Sequence, residues 1–262
     1  WVYLVGAIVG AGYAAGLRPE EVLERPLPGL LDPWGSWLVS PAQRSRSLEA
    51  FIAEVVAGRR IEDLPRRFVA VATERNTGCL TLFGGGDVAR AVAGSSALPG
   101  ALAPVVIAGR TFADGGLGAP LPVRVARALG AERVIAVDTT FHAEPEVPGG
   151  LIDSVFHAGM VMSRHLTLPD RATADLLIEP NLPPVPDVTL ANRAQLMEAG
   201  ERAALAQLDQ LRRLFAARGA AAPRTPAPTG LPTCDETAGR WTEAPSPTDL
   251  ARQSAAMAER NA

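Results

Sequence analysis

Asp114-Gly115-Gly116 is the place in the chain where residue types and order could do chemistry. A carboxylate at a strand end can take a proton from a neighbouring hydroxyl. Two following glycines let a ligand or another strand approach the backbone closely. The same residues also serve as an ordinary Asp-Gly turn, and spacing alone leaves both readings open. Candidate nucleophiles are scarce nearby. Ser95 and Ser96 lie in Gly94-Ser95-Ser96-Ala97-Leu98, which lacks the second glycine of a Gly-x-Ser-x-Gly elbow. A Ser-His-Asp triad would need His142, His157 or His165 beside Asp114. His157 and His165 fall eight positions apart on one expected helix, where a metal pair would use a spacing of four. Gly84-Gly85-Gly86 is followed by Asp87 and not by Lys-Ser/Thr, so it reads as the exit of a hairpin and not as a phosphate loop. No metal or cofactor is expected.

Composition narrows the function classes. The chain has 262 residues, 47% of them hydrophobic, enough for a sizeable core. Twenty-five basic residues face 28 acidic ones, for a net charge of −3, which argues against nucleic acid as a partner bound by bulk charge. Every basic residue is arginine, a pattern we read as codon bias. Cys79 and Cys234 are too few and too distant for a disulfide framework or a zinc site, and read as isolated small residues in a cytoplasmic chain. Residues 1–17 carry no charge and contain four glycines. That length touches the lower limit of a membrane span, but no basic segment precedes it, and a buried element is the expectation.

These residues must be positioned by alternating helices and strands. Small residues over 5–16 predict a helix stopped at Gly16, and Arg18-Pro19-Glu20-Glu21 opens another. Residues 26–46 read as a loop. Apolar Leu48, Phe51, Ile52, Val55 and Val56 predict a helix over 47–58, with Ser47 as its cap and Gly58 as its stop. Strands are expected at 68–73 and 79–83 around a turn at Asn76-Thr77-Gly78. A short helix follows from Val88. Residues 105–116 read as a hairpin turning at Ala108-Gly109-Arg110 and ending on Asp114. Beyond it come a helix over 122–130, a strand of parallel type over 133–139, a helix over 151–166 and a strand over 174–180. Last is one amphipathic helix over 191–216, apolar at Leu196, Ala199, Ala203, Leu208, Leu211 and Phe215. The alternation argues an α/β layered fold. Residues 219–262 read as a disordered low-complexity tail.

Taken together, ATERNTG (72–78), GDVARAVAGSSALPG (86–100), GRTFADGG (109–116), LPVRVARALGAERVIAVD (121–138) and ADLLIEP (174–180) resemble the bacterial patatin-like phospholipase family. The resemblance covers most of residues 5–216 and makes 1–218 the expected domain. It implies a three-layer α/β/α fold and hydrolysis of phospholipid or other acyl esters by a Ser–Asp dyad. Asp114, within its Asp114-Gly115-Gly116 motif, falls on the aspartate that accepts the proton. The family's elbow serine falls on Leu4, in Val2-Tyr3-Leu4-Val5-Gly6. The first strand and the glycine-rich oxyanion loop have no counterpart in the sequence. Leucine has no hydroxyl and forms no acyl-enzyme. Ser95, Ser96 and Pro99 fall on a packing segment near the site and are candidates for lining the substrate groove. Glu74 stands where the family's segment has aspartate. The implied partner is a lipid or acyl-ester substrate, with peripheral membrane contact among the expectations. Three readings follow: a hydrolase lineage inactive in this chain, a lipid- or protein-binding pseudoenzyme, and a truncated gene fragment.

Overall fold

The computed structural model describes residues 3–23, 39–139, 150–182, 190–216, 233–234 and 241–242. Two compact units divide it, one formed by residues 3–118 with 228–262, the other by 119–227.

In the first unit, helices α1 (Tyr3–Ala14), α2 (Pro19–Leu23) and α3 (Pro41–Val55) come before the sheet. Gly16 at φ +97° closes α1, the left-handed position that favours glycine. Helix α3 starts earlier than the sequence suggests. Its cap is Ser40, whose hydroxyl accepts from the Gln43 N–H at 3.3 Å, with Pro41 at the first turn. The segment 41–47 is polar and mostly exposed, so it lacks the apolar spacing that would betray a helix. Ser47 therefore lies inside α3 and caps nothing. Leu48, Ile52 and Val55 bury its apolar stripe, and Ala57 and Gly58, both at positive φ, end it as expected.

Strands β1 (Ala70–Glu74) and β2 (Leu80–Phe83) form an antiparallel hairpin. Gly84-Gly85-Gly86 leads from it into helix α4 (Val88–Ser95). The Gly86 N–H is held by Glu62 at 2.8 Å. Asp87 caps α4 through the Arg90 N–H at 2.8 Å. Strands β3 (Val105–Ile107) and β4 (Arg110–Asp114) form the next hairpin. Ala108 and Gly109, at φ +49° and +78°, make the two-residue turn that matches strand twist. The sheet order is β2-β1-β4-β3, antiparallel throughout. Ala70, Ala72, Phe83 and Phe112 pack with Val88 and Val92 of α4, Ile8 and Ala11 of α1 and Leu48 and Ile52 of α3. Phe83 and Phe112 meet edge to face, with ring centroids 5.0 Å apart. The strands β7 (Thr233–Cys234) and β8 (Trp241–Thr242) pair antiparallel; the rest of the expected tail lies outside the described residues, as do most of the loop 26–46 and His142.

The second unit holds helix α5 (Val123–Ala128), strand β5 (Ile135–Val137), helix α6 (Leu151–Thr173) and strand β6 (Leu176–Ile178). β5 and β6 pair in parallel, as their apolar runs suggest. Leu121, Val123, Val134 and Ala136 form the core on one side. The single helix expected over 191–216 is two, α7 (Leu190–Ala206) and α8 (Leu208–Ala216). Its expected apolar stripe is not a core face: Ala199 is buried, but Leu208 and Phe215 are exposed. The architecture is α/β, with a mainly antiparallel sheet in the first unit.

Candidate functional site

Asp114 ends β4 and opposes Ala72 of the central strand β1. Its backbone N–H donates to the Ala97 carbonyl at 3.0 Å. That bond ties the strand end to the turn after α4, which carries Ser95 and Ser96. The chain then enters a short 3-10 turn, Gly115–Leu117, capped by the Asp114 side chain. Oδ1 accepts from the Gly116 N–H at 2.7 Å. Oδ2 is buried and has no hydrogen-bond partner among the described residues. The side chain is 1% exposed. Burial pushes its pKa up to about 6 from 3.8, against the opposing pull of the Gly116 N–H. A buried carboxylate with one satisfied oxygen and one unsatisfied oxygen can accept a proton near neutrality.

Steric contact explains the first glycine after Asp114. A Cβ on Gly115 would lie 2.1 Å from the Val71 carbonyl oxygen and 2.8 Å from its carbon. Both atoms are backbone of β1 and cannot swing aside. A Cβ on Gly118 would meet the Leu80 side chain at 2.6 Å. The motif is thus pinned between a strand pairing on one side and a backbone contact on the other.

Ser96 caps the C-terminal end of α4 and is fully buried; Ser95 is buried beside it, and Pro99 is exposed. Leu4 lies in the first turn of α1. His157, half-buried, and His165, exposed, both sit on α6. Among the described residues no group of three or more His, Cys, Asp or Glu side chains could hold a metal ion.

Glu74 carries more structure than its sequence position suggests. Arg110 grips it through two bonds, Nε to Oε1 at 2.7 Å and an NH2 to Oε2 at 2.6 Å. The Thr77 hydroxyl also donates to Oε2 at 2.7 Å. The Arg110 bonds hold this carboxyl below its usual range, with burial opposing and Thr77 assisting. The longer acid thus fixes the turn at Asn76-Thr77-Gly78 and clamps β1 to β4 near Asp114. Sequence reasoning missed Arg110, although a cation at the start of a strand paired with Glu74 was a readable signal.

Cysteine was misread. Cys79 is disulfide-bonded and not an isolated thiol, and Cys234 is the one other cysteine in the chain. Their separation in sequence hides what the fold brings close, since β7 passes β2.

An ionic network in the second unit also escaped the sequence reading. Arg171 of α6 pairs with buried Asp138, at the end of β5, and with Glu179, just after β6. Asp170 accepts from the Arg124 N–H at 2.6 Å and from its guanidinium at 3.1 Å. Asp175 accepts from the Val134 N–H at 2.6 Å and pairs with Arg127.

Residues 5–127 match the family model described as patatin-like phospholipase. Uncharacterised NTE family proteins of Mycobacterium bovis and of two Mycobacterium tuberculosis strains are each 34% identical over 139 residues. That alignment covers 51% of this chain and 38% of each relative, so the chain spans well under half the length of these relatives. Among the described residues no helix is long and apolar enough to cross a membrane. Over residues 5–127, which include the Asp114 turn, the chain is similar to the patatin-like phospholipase family.

Proposed function

We propose that this chain descends from Ser–Asp acyl hydrolases of lipid esters, with Asp114 as the dyad's proton acceptor and Leu4 in the nucleophile's position. The observation that carries this reading is the Asp114 carboxyl itself: buried, with Oδ1 spent on Gly116 and Oδ2 without a partner among the described residues. A merely structural turn aspartate would leave its second oxygen in water. An oxygen held dry and unpaired costs stability, and such a cost persists where the group has a use. In an active dyad a serine hydroxyl would donate to that oxygen, attack the ester carbonyl and form an acyl-enzyme that water hydrolyses. Leucine supplies no such hydroxyl, so the chain turns over no ester. Ser95, Ser96 and Pro99 would border the acyl groove without taking part in the chemistry.

Hydrolysis of a short p-nitrophenyl ester by the purified chain tests this, with Asp114→Ala alongside and a fluorophosphonate to label any activated serine. The expected result is no turnover above background and no labelled serine. Ester turnover that Asp114→Ala abolishes, or labelling at Ser96, would show that another hydroxyl serves Asp114.

A further inference from the structure

The chain leaves the first unit after Gly118 and rejoins it at residue 228. On its return β7 lies against β2. Cys79 stands directly before β2 and is disulfide-bonded. The chain holds two cysteines, and the second, Cys234, is in β7. The partner of Cys79 is therefore Cys234.

The two ends of that bond are held very differently. Around Cys79 the backbone is pinned. Its carbonyl accepts from the Glu74 N–H at 2.8 Å, and its N–H donates to the Thr77 hydroxyl at 3.2 Å. Thr77 in turn donates to Glu74, which Arg110 grips. Around Cys234 there is little to hold a segment in place. β7 and β8 are two residues each, and a hairpin that short is not stable by itself in water. Residues 219–232 contain one large apolar side chain, Leu231, too little to offset the entropy of ordering them. The covalent bond is thus the main hold on the hairpin. Cys79 is half-buried and residues 75–78 beside it are exposed, which leaves the bond open to attack by a thiolate from solvent.

We propose that the Cys79–Cys234 bond is a redox-controlled strap, fastening the 233–242 hairpin to the first unit in oxidising surroundings and opened by a dithiol reductant. One thiolate of the reductant attacks a sulfur of the bond, the S–S bond breaks, and a mixed disulfide forms. The reductant's second thiol then displaces the chain. Two electrons and two protons pass to the protein, leaving thiols on Cys79 and Cys234 and a disulfide on the reductant. Opening releases the hairpin, because two-residue strands are all that remains to hold it. It also opens a loop that contains the whole of residues 119–227, and the freedom regained by the unfolded chain lowers stability. Such a bond persists in an oxidising compartment and is lost where thiol pools are reducing.

The test uses the full chain purified without reductant. Tryptic digestion read by mass spectrometry should give peptides 76–90 and 225–240 joined as one species, which dithiothreitol separates. Dithiothreitol should lower the wild-type melting temperature by about 5 °C or more, and its replacement by oxidised glutathione should restore the original value. Backbone amides of residues 233–242 should exchange with deuterated water at least about tenfold faster after reduction. Cys234→Ser should melt at the reduced wild-type temperature and ignore the reductant. Cys79→Ser should do the same, and Cys234→Ser carries the test where substitution beside the turn impairs folding. The proposal is overturned if the two peptides are never joined, or are joined only in a covalent dimer. It is also overturned if dithiothreitol shifts the wild type and Cys234→Ser alike, or if exchange over 233–242 is the same before and after reduction.

Discussion

Replacing Asp114 by asparagine should make the protein more stable at alkaline pH than at acid pH, relative to the wild type. Asparagine keeps the shape and the acceptor that Gly116 uses, but it carries no charge. The folded-state pKa of Asp114 is about 6 against an ordinary 3.8. Between those values the folded chain holds a proton that the unfolded chain has lost. Stability therefore falls as pH rises through that window and stays lower above it. A difference of about two in pKa corresponds to about 3 kcal/mol, and near-complete burial leaves little solvent to screen it. The asparagine amide placed at the Oδ2 position has its own desolvation cost of about 1–3 kcal/mol. That cost does not change with pH. The quantity to measure is thus the stability of Asp114→Asn minus that of the wild type, at pH 4 and at pH 8, by urea unfolding followed by circular dichroism. It should move by about 2.4 kcal/mol in favour of the variant between the two, since at pH 4 the unfolded carboxyl is already more than half ionised. Every other titrating group is common to both proteins and cancels. A difference that stays flat, or that moves the other way, would refute the claim that burial of this carboxyl, with Oδ2 unpartnered among the described residues, raises its pKa.

Gly115→Ala should destabilise the first unit by at least about 3 kcal/mol, because its Cβ must displace β1 backbone. Gly6→Ala, on the open side of α1 with nothing within 4 Å of the new Cβ, should gain up to about 1 kcal/mol; paired thermal melts read both. Glu74→Gln should cost about 1–2 kcal/mol at neutral pH. Since the Arg110 bonds depress the Glu74 pKa, that contribution is present above the ordinary carboxylate range and is lost as pH falls through the folded value, so the variant and wild-type curves should converge in acid. Arg171→Met should cost about 3–5 kcal/mol by taking the guanidinium away from buried Asp138; a double variant with Asp138→Asn should recover part of that loss, and additive losses would count against the pairing.

Much of the first unit was legible because its signals are local. Gly16, Gly58, Gly78 and Gly109 all sit at positive φ where turns or helix ends were expected. Alternating and continuous apolar runs placed β1, β2 and β4 to within two residues. The Asp114 turn was legible as a motif, but its electrostatics were not. Nothing in Phe-Ala-Asp-Gly-Gly says that Oδ2 is buried; that comes from the fold around it. The start of α3 was hidden for the converse reason, since a polar first turn leaves no apolar period to read, and its one local signal, Ser40-Pro41, is shared with loops.

In the second unit the strands were legible, but the way α6 faces was not, for a different physical cause. Periodicity assigns a helix's polar side to water and its apolar side to the core, which is right only when polar groups lack better partners inside. Asp170 and Arg171 have such partners in Arg124, Asp138 and Glu179. Those partners sit on α5 and at the ends of β5 and β6, where no window of sequence along α6 can include them. A buried ion pair adds little stability beyond an apolar replacement but penalises its own disruption heavily. It therefore fixes which way α6 faces more firmly than it strengthens the unit. With α6 locked by its polar side, Met162 and Leu168 are held outward.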